Sequence, residues 1–224
     1  MLRVAIDGPG GTGKSTIAKA VAARFGLEYI DTGAMYRSIA LKSVRQGVSA
    51  DDEPAVEKML ASTEIDFADG KVCLDGEDVG GSIRTNEISM AASNISKLPC
   101  VRAKVDKLSR HLAATKNVVM EGRDIGTAVI PDAEVKIFMT ADPAVRAKRR
   151  YDQLIEAGKE ADYDEIFEDI KARDWQDSHR ELNPLKQADD AVYLDSSDMS
   201  IEENIDAVAK IITDKTGVEP QGDN

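Results

Sequence analysis

Cysteine and histidine are nearly absent from this 224-residue chain, which has two of each. Cys73 and Cys100 fit no CxxC or zinc spacing and read as reduced packing residues. His111 and His179 cannot supply a multi-histidine metal site. Positive charge is also short: 29 Lys and Arg against 41 Asp and Glu leave a formal net charge of −12. A nucleic-acid binder usually carries a basic stripe and a high isoelectric point, so no nucleic-acid partner is expected. The basic residues cluster instead, around Arg146–Arg150 and at Arg173 and Arg180, which suits a small anionic ligand better than a polymer. No apolar run approaches the roughly 20 residues that span a bilayer. The chain opens straight into the apolar run Leu2-Arg3-Val4-Ala5-Ile6, without a charged n-region or cleavage site. The expectation is a soluble, cytoplasmic protein with no membrane partner. There is no internal repeat and no low-complexity block.

What is present alternates between strand and helix patterns. The opening run leads through Asp7 and a glycine-rich turn into a helix with Ile17, Val21 and Phe25 at four-residue spacing, stopped at Gly26. Leu27–Ile30 reads as a second strand, followed at Asp31-Thr32-Gly33 by a helix ending near Gly47. Ile65-Asp66-Phe67 and Val72-Cys73-Leu74, punctuated by Asp69-Gly70 and Asp75-Gly76, read as short antiparallel strands. Residues 86–112 are helical, restarted at Pro99. Val118–Met120, Val135–Met139 and Val192–Leu194 are further strands, with a helix capped by Asp142-Pro143 and another from about Ser200. Five apolar strands alternating with helices predict an α/β fold, a parallel sheet with helices on both faces. In such sheets ligands bind beyond the carboxyl ends of the strands. Asp7, Asp31, Glu121 and Asp195 fall at those ends.

Residues 8–15 read Gly8-Pro9-Gly10-Gly11-Thr12-Gly13-Lys14-Ser15. This is G-x-x-x-x-G-K-[ST] in full, between a predicted strand and a predicted helix. Glycines let the backbone curl so that its N–H groups face phosphate oxygens. The helix adds its positive end. Lys14 is a point charge for the terminal phosphates, and the Ser15 hydroxyl is a magnesium ligand. A nucleoside triphosphate with magnesium is the expected ligand, and ATP with Mg2+ is the set that the family resemblance below implies. Gly8 through Thr16 are the candidate binding residues.

A GTPase would need N-K-x-D after a later strand, and the chain has none. Asp78-Val79-Gly80-Gly81 fits the short D-x-x-G pattern but lies among the short strands, where chance explains it. A motor would be longer, with a basic track. A small-molecule kinase remains, and its arginines make sense: phosphoryl transfer between two anions needs cations that hold the substrates in line. Arg123 follows a strand end. Arg173, Asp177 and Arg180 fall at i, i+4 and i+7, one face of a continuous helix. Spacing alone leaves open whether that face serves a ligand or is an ordinary solvated pair. Arg146, Arg149 and Arg150 sit early in a helix, against its dipole, so an anion is expected near them, from a substrate or from nearby Asp and Glu.

The whole set resembles the bacterial cytidylate kinases. The resemblance rests on the phosphate loop at 8–16, Asp31-Thr32-Gly33-Ala34-Met35-Tyr36-Arg37, Ile83-Arg84-Thr85, Ala91-Ala92-Ser93, Val101-Arg102, Gly122-Arg123-Asp124-Ile125-Gly126-Thr127, Val135–Phe138, Arg173-Asp174 and Leu194-Asp195-Ser196. It implies a P-loop core over 1–59, 91–145 and 174–224, a monophosphate-binding antiparallel insert at 60–90, and a helical lid at 146–173. It implies transfer of the ATP γ-phosphoryl group to CMP and dCMP by a monomer. It also implies roles. Lys14, Arg123, Arg173 and Arg180 are the catalytic cations. Arg149 and Arg150 join the loop in holding ATP. Thr32, Arg37, Arg123 and Arg180 hold the acceptor phosphate, and Tyr36 lines its pocket. Ser93, Arg102 and Asp124 read cytosine, and Arg173 and Asp177 hold the ribose. Many relatives have Ser at Thr32 and Asp at Glu121. A same-fold kinase for UMP or AMP, or an ATP-binding module without turnover, are the competing readings.

Overall fold

The structure, a computed structural model, describes residues 1–68 and 71–221, so the Asp69-Gly70 turn expected from the sequence lies outside the described residues. By internal packing the chain divides into one unit made of Met1–Tyr29 with Lys116–Asn224, and a second made of Ile30–Thr115.

The first unit opens with β1 (Arg3–Asp7), α1 (Lys14–Phe25) and β2 (Glu28–Asp31), whose end passes into the second unit. It resumes with β6 (Val118–Gly122), β7 (Val135–Thr140), α6 (Pro143–Glu156), α7 (Tyr163–His179), β8 (Val192–Asp195) and α8 (Ile201–Thr216). The five strands form one sheet in the order β2-β6-β1-β7-β8, with β1 central. β1 pairs in parallel with β6 and β7, and β7 with β8. The two central strands are almost wholly buried, which is why they read as unbroken apolar runs rather than alternating ones. Val4, Ile6, Val119, Val135, Ile137 and Met139 pack with Ile17, Val21 and Phe25 of α1 and Ile205, Val208 and Ile212 of α8. Helix ends obey local chemistry. Gly26 closes α1 in the left-handed conformation. Asp142 caps α6 with Pro143 at its start, and Ser200 and Glu203 form a capping box on α8.

The second unit contains α2 (Thr32–Gln46), α3 (Glu53–Ala61), a three-stranded antiparallel sheet of β3 (Ile65–Ala68), β4 (Lys71–Leu74) and β5 (Glu77–Asp78), α4 (Asn86–Ile95) and α5 (Pro99–Thr115). Its core is Met35, Ile39, Leu60, Leu74, Ile83, Ile95 and Val101. Asp75-Gly76 makes the expected turn between β4 and β5, both residues at positive φ. Helix α3 is an element the sequence reading passed over, although Asp52 caps it and Pro54 lies in its first turn. Among the described residues no helix is long and apolar enough to cross a membrane.

Candidate active site

The phosphate loop leaves the end of the central strand and enters α1. Gly8 is obligatory there: its φ is +149°, and a Cβ would stand 1.8 Å from the Met139 carbonyl oxygen of neighbouring β7. Helices α2, α3, α4, α6, α7 and α8 each begin with a side-chain oxygen accepting a backbone N–H. Helix α1 does not: its cap is Gly13, with no side-chain bond and no acid in the first turn. An uncapped helix start leaves its first backbone N–H groups open to an anion. Lys14 is buried beneath the loop and donates to the Pro9 carbonyl oxygen at 2.6 Å. Burial, with Arg123 adding repulsion, brings its ammonium down to about 7. The site thus gathers positive charge that a phosphate group would offset. Ser15 stands half-exposed beside Lys14, and Thr16 is exposed.

Cations are aimed at the same loop. A side chain on Gly10 would begin 3.3 Å from Arg123 Nη2 and 4.0 Å from Arg173 Nη1. Arg123 Nε donates to Asp177 Oδ2 at 2.8 Å. Burial opposes the charge of both partners and their mutual attraction outweighs it, so Asp177 is held below the ordinary carboxylate range, with Arg173 and Arg180 contributing, and Arg123 is held above its own. Arg180 Nη2 donates to Asp124 Oδ1 at 3.1 Å. Helix α7 is continuous to His179, and Arg180 is its extended C-cap residue rather than a further helical position. The first unit therefore assembles Lys14, Arg123, Asp124, Arg173, Asp177 and Arg180 around two carboxylate–arginine contacts and one loop.

Arg146 has a different task from its neighbours. It is buried, and it donates to the Ala141 carbonyl at 2.9 Å, to the Gly10 carbonyl at 3.0 Å and to both oxygens of Asp174. Asp174 is the anion expected near this cluster, and Arg146 braces the loop from behind. Arg149 donates to the Ser196 carbonyl at 2.7 Å, and Arg150 is half-buried. Ser196 Oγ reaches the Thr12 carbonyl at 3.2 Å, so that strand end supports the loop. Glu121 accepts a hydrogen bond from the Tyr29 hydroxyl.

The remaining sequence candidates lie in the second unit. Asp31 caps α2 through Ala34 N and accepts from Arg37 Nη2 at 2.8 Å. Thr32, the first residue of α2, is buried. Tyr36, one helical turn on, stacks its ring under the Arg102 guanidinium at 5.7 Å. Arg102 is buried and donates to the Ser96 carbonyl. Ser93 lies on α4, half-buried. Two residues that matter to the site's geometry had no role in the sequence reading. Asp174 had only its place beside Arg173 as a signal, and Asp7 only its place at a strand end.

An uncapped glycine-rich helix start beyond the central strand of a parallel sheet defines a phosphate-binding-loop nucleotide-binding protein, and the arginines above it, with no guanine-reading motif, make the class a small-molecule kinase. Sequence comparison narrows the class. A family model described as cytidylate kinase matches residues 4–214, and the chain belongs to that family. It is 46% identical over 213 residues to the cytidylate kinase of Thermosipho melanesiensis, covering 95% of this chain and 97% of that one. It is 47% identical to the cytidylate kinase of Lactobacillus johnsonii, covering 96% and 95%. An uncharacterized protein from Eubacterium ventriosum with a solved structure shares the fold at a TM-score of 0.52 and 14% identity, covering 95% of this chain and 98% of that one.

Proposed function

We infer that the protein transfers the γ-phosphoryl group of ATP to CMP, and to dCMP, giving ADP and the cytidine diphosphate. The observation that carries the donor half is the uncapped start of α1 with the buried Lys14 beside it. In this reading the backbone of residues 8–16 and Lys14 hold the ATP phosphates, and Arg149 and Arg150 add charge from α6. The Ser15 hydroxyl is the ligand offered to magnesium, which when bound neutralises charge on the transferring phosphates. Arg146 braces the loop, and residues 146–173 form the lid. Arg123, Arg180, Thr32 and Arg37 hold the acceptor phosphate, with Tyr36 lining the pocket. Arg173 and Asp177 take the ribose. Asp177 is kept anionic by its arginines, so it can accept hydrogen bonds from sugar hydroxyls. No covalent intermediate is needed, because positioning and charge neutralisation suffice. The protein acts as a monomer in the cytoplasm.

Base choice falls to Ser93, Arg102 and Asp124. Cytosine offers an exocyclic amine that a carboxylate can accept from. Uracil places a carbonyl there, facing the carboxylate with no proton between. Asp124→Asn is expected to narrow the CMP-over-UMP preference in kcat/KM by about 10²-fold or more. An unchanged ratio would remove Asp124 from base recognition.

Lys14 ties donor binding to pH. Burial, with repulsion from Arg123, brings its pKa down to about 7, and phosphate contact favours its charged form. Above pH 7, ATP binding must therefore return a proton to Lys14, and affinity should fall with rising pH by up to about tenfold per unit. Calorimetry at pH 8 in buffers of different ionisation enthalpy should show uptake approaching one proton per ATP, lost in Lys14→Ala. Equal heats in all buffers would contradict the contact.

A further inference from the structure

Asp7 takes no part in the scheme above, yet it is a buried carboxylate whose two oxygens are both committed to backbone. From the end of β1, Oδ1 accepts Ile125 N at 2.8 Å and Oδ2 accepts Gly126 N at 2.7 Å. These are the first two N–H groups of the turn over Ile125–Val129. That turn is π-helical: Val129 N bonds to the Asp124 carbonyl and Ile130 N to the Ile125 carbonyl. Single π turns are wide, rare and concentrated at functional sites.

The residue before such a turn is Asp124, and an aspartate in that place normally caps it with its own side chain. Here Asp124 makes no side-chain cap bond, and its carboxylate accepts from Arg180 instead. The cap is supplied from 117 positions earlier in the chain, by Asp7. The fit is close. A Cβ on Gly126 would stand 3.4 Å from Asp7 Oδ2 and 3.1 Å from Lys136 Cδ. Burial raises the Asp7 carboxyl to about 6 in spite of the two N–H bonds, with Asp124 adding repulsion and Lys14 relief. It is therefore ionised, as a strong cap must be, at neutral pH.

We propose that Asp7 is a positioning residue for acceptor selection: by capping the 125–129 turn from β1 it relieves Asp124 of that duty and sets the direction in which the Asp124 carboxylate points. The proposal rests on the reading that Asp124 recognises the acceptor base. The strand that carries the phosphate loop thereby also orients the base-reading residue.

The test is a double-mutant cycle of Asp7→Asn and Asp124→Asn, scored by the ratio of kcat/KM for CMP to that for UMP, with ATP affinity measured in parallel. Asn is isosteric with Asp but presents only one acceptor oxygen to the two N–H groups. Asp7→Asn is expected to raise KM for CMP and lower the ratio about tenfold, with any change in ATP affinity, since Asp7 also faces Lys14, smaller than the change in the ratio, and to change the ratio no further in the Asp124→Asn background. A general structural fault would depress both acceptors and ATP alike. If Asp124→Asn shifts the ratio and Asp7→Asn does not, or if the two effects simply add, the proposal is overturned while the base reading stands. If Asp124→Asn leaves the ratio unchanged, the base reading falls and the proposal falls with it. Should Asp7→Asn yield no folded protein, Gly126→Ala crowds the same carboxylate and is expected to lower the same ratio; an unchanged ratio there overturns the proposal.

Discussion

Replacing Lys14 with alanine is expected to lower turnover by on the order of 10²–10³ while leaving the empty protein at least as stable as before. The first half follows from position. Lys14 is an ammonium buried under the loop, and in the proposed transfer the charge that develops on the phosphoryl group is stabilised most by a cation already fixed in place. The second half follows from linkage. Lys14 titrates at about 7 in the folded protein against 10.5 for the ordinary side chain. Between those values the unfolded chain binds more protons, so folded stability rises with pH. The destabilisation from burying the charge is therefore complete at the low end of that window and relieved towards its high end. Alanine removes that penalty along with the bond to Pro9. Thermal melts without nucleotide at pH 7 should therefore show no loss of Tm, and a flatter dependence on pH up to 10. A large fall in Tm would mean that Lys14 holds the loop together rather than waiting for phosphate.

Arg123→Ala is expected to reduce kcat by on the order of 10³. Arg123 reaches over the loop at Gly10 and is bonded to Asp177, so it connects the group that faces phosphate to the group assigned to the sugar. In the proposed scheme its loss removes a transition-state cation, and it leaves Asp177 buried with less compensation, a change that costs several kcal/mol when no other partner is near. Arg173 and Arg180 also attract Asp177, so the stability loss should be smaller than the catalytic one. A double variant with Asp177→Asn should recover stability and not turnover. Recovery of turnover in the double variant would show that Arg123 serves only to neutralise Asp177.

The features legible in the sequence were those set by neighbours along the chain. The phosphate loop, the Asp142-Pro143 cap, the Asp75-Gly76 turn and the glycine stops at Gly26 and Gly47 each need only a few adjacent residues to specify their geometry. Helix α3 had such signals in Asp52 and Pro54 and was overlooked because its apolar residues, Val56, Met59 and Leu60, are few. Pairings across long separations were not legible. Nothing local says that Asp7 caps residues 125 and 126, that Arg146 closes on Asp174 behind Gly10, or that Tyr29 bonds to Glu121. The helical spacing of Arg173, Asp177 and Arg180 pointed to a shared face. Asp177 meets Arg123 there, but Arg180 reaches Asp124 from just beyond the helix end, where spacing rules no longer apply.

The central claim is that an ATP-loaded phosphate loop serves a cytidine acceptor. A coupled ADP-release assay with ATP and magnesium, run with CMP, dCMP, UMP, AMP and no acceptor, tests it most directly. Rapid turnover with CMP and dCMP, and little with the other three, is the predicted result. Release of ADP at the same rate whatever the acceptor, or with UMP or AMP preferred, would contradict it.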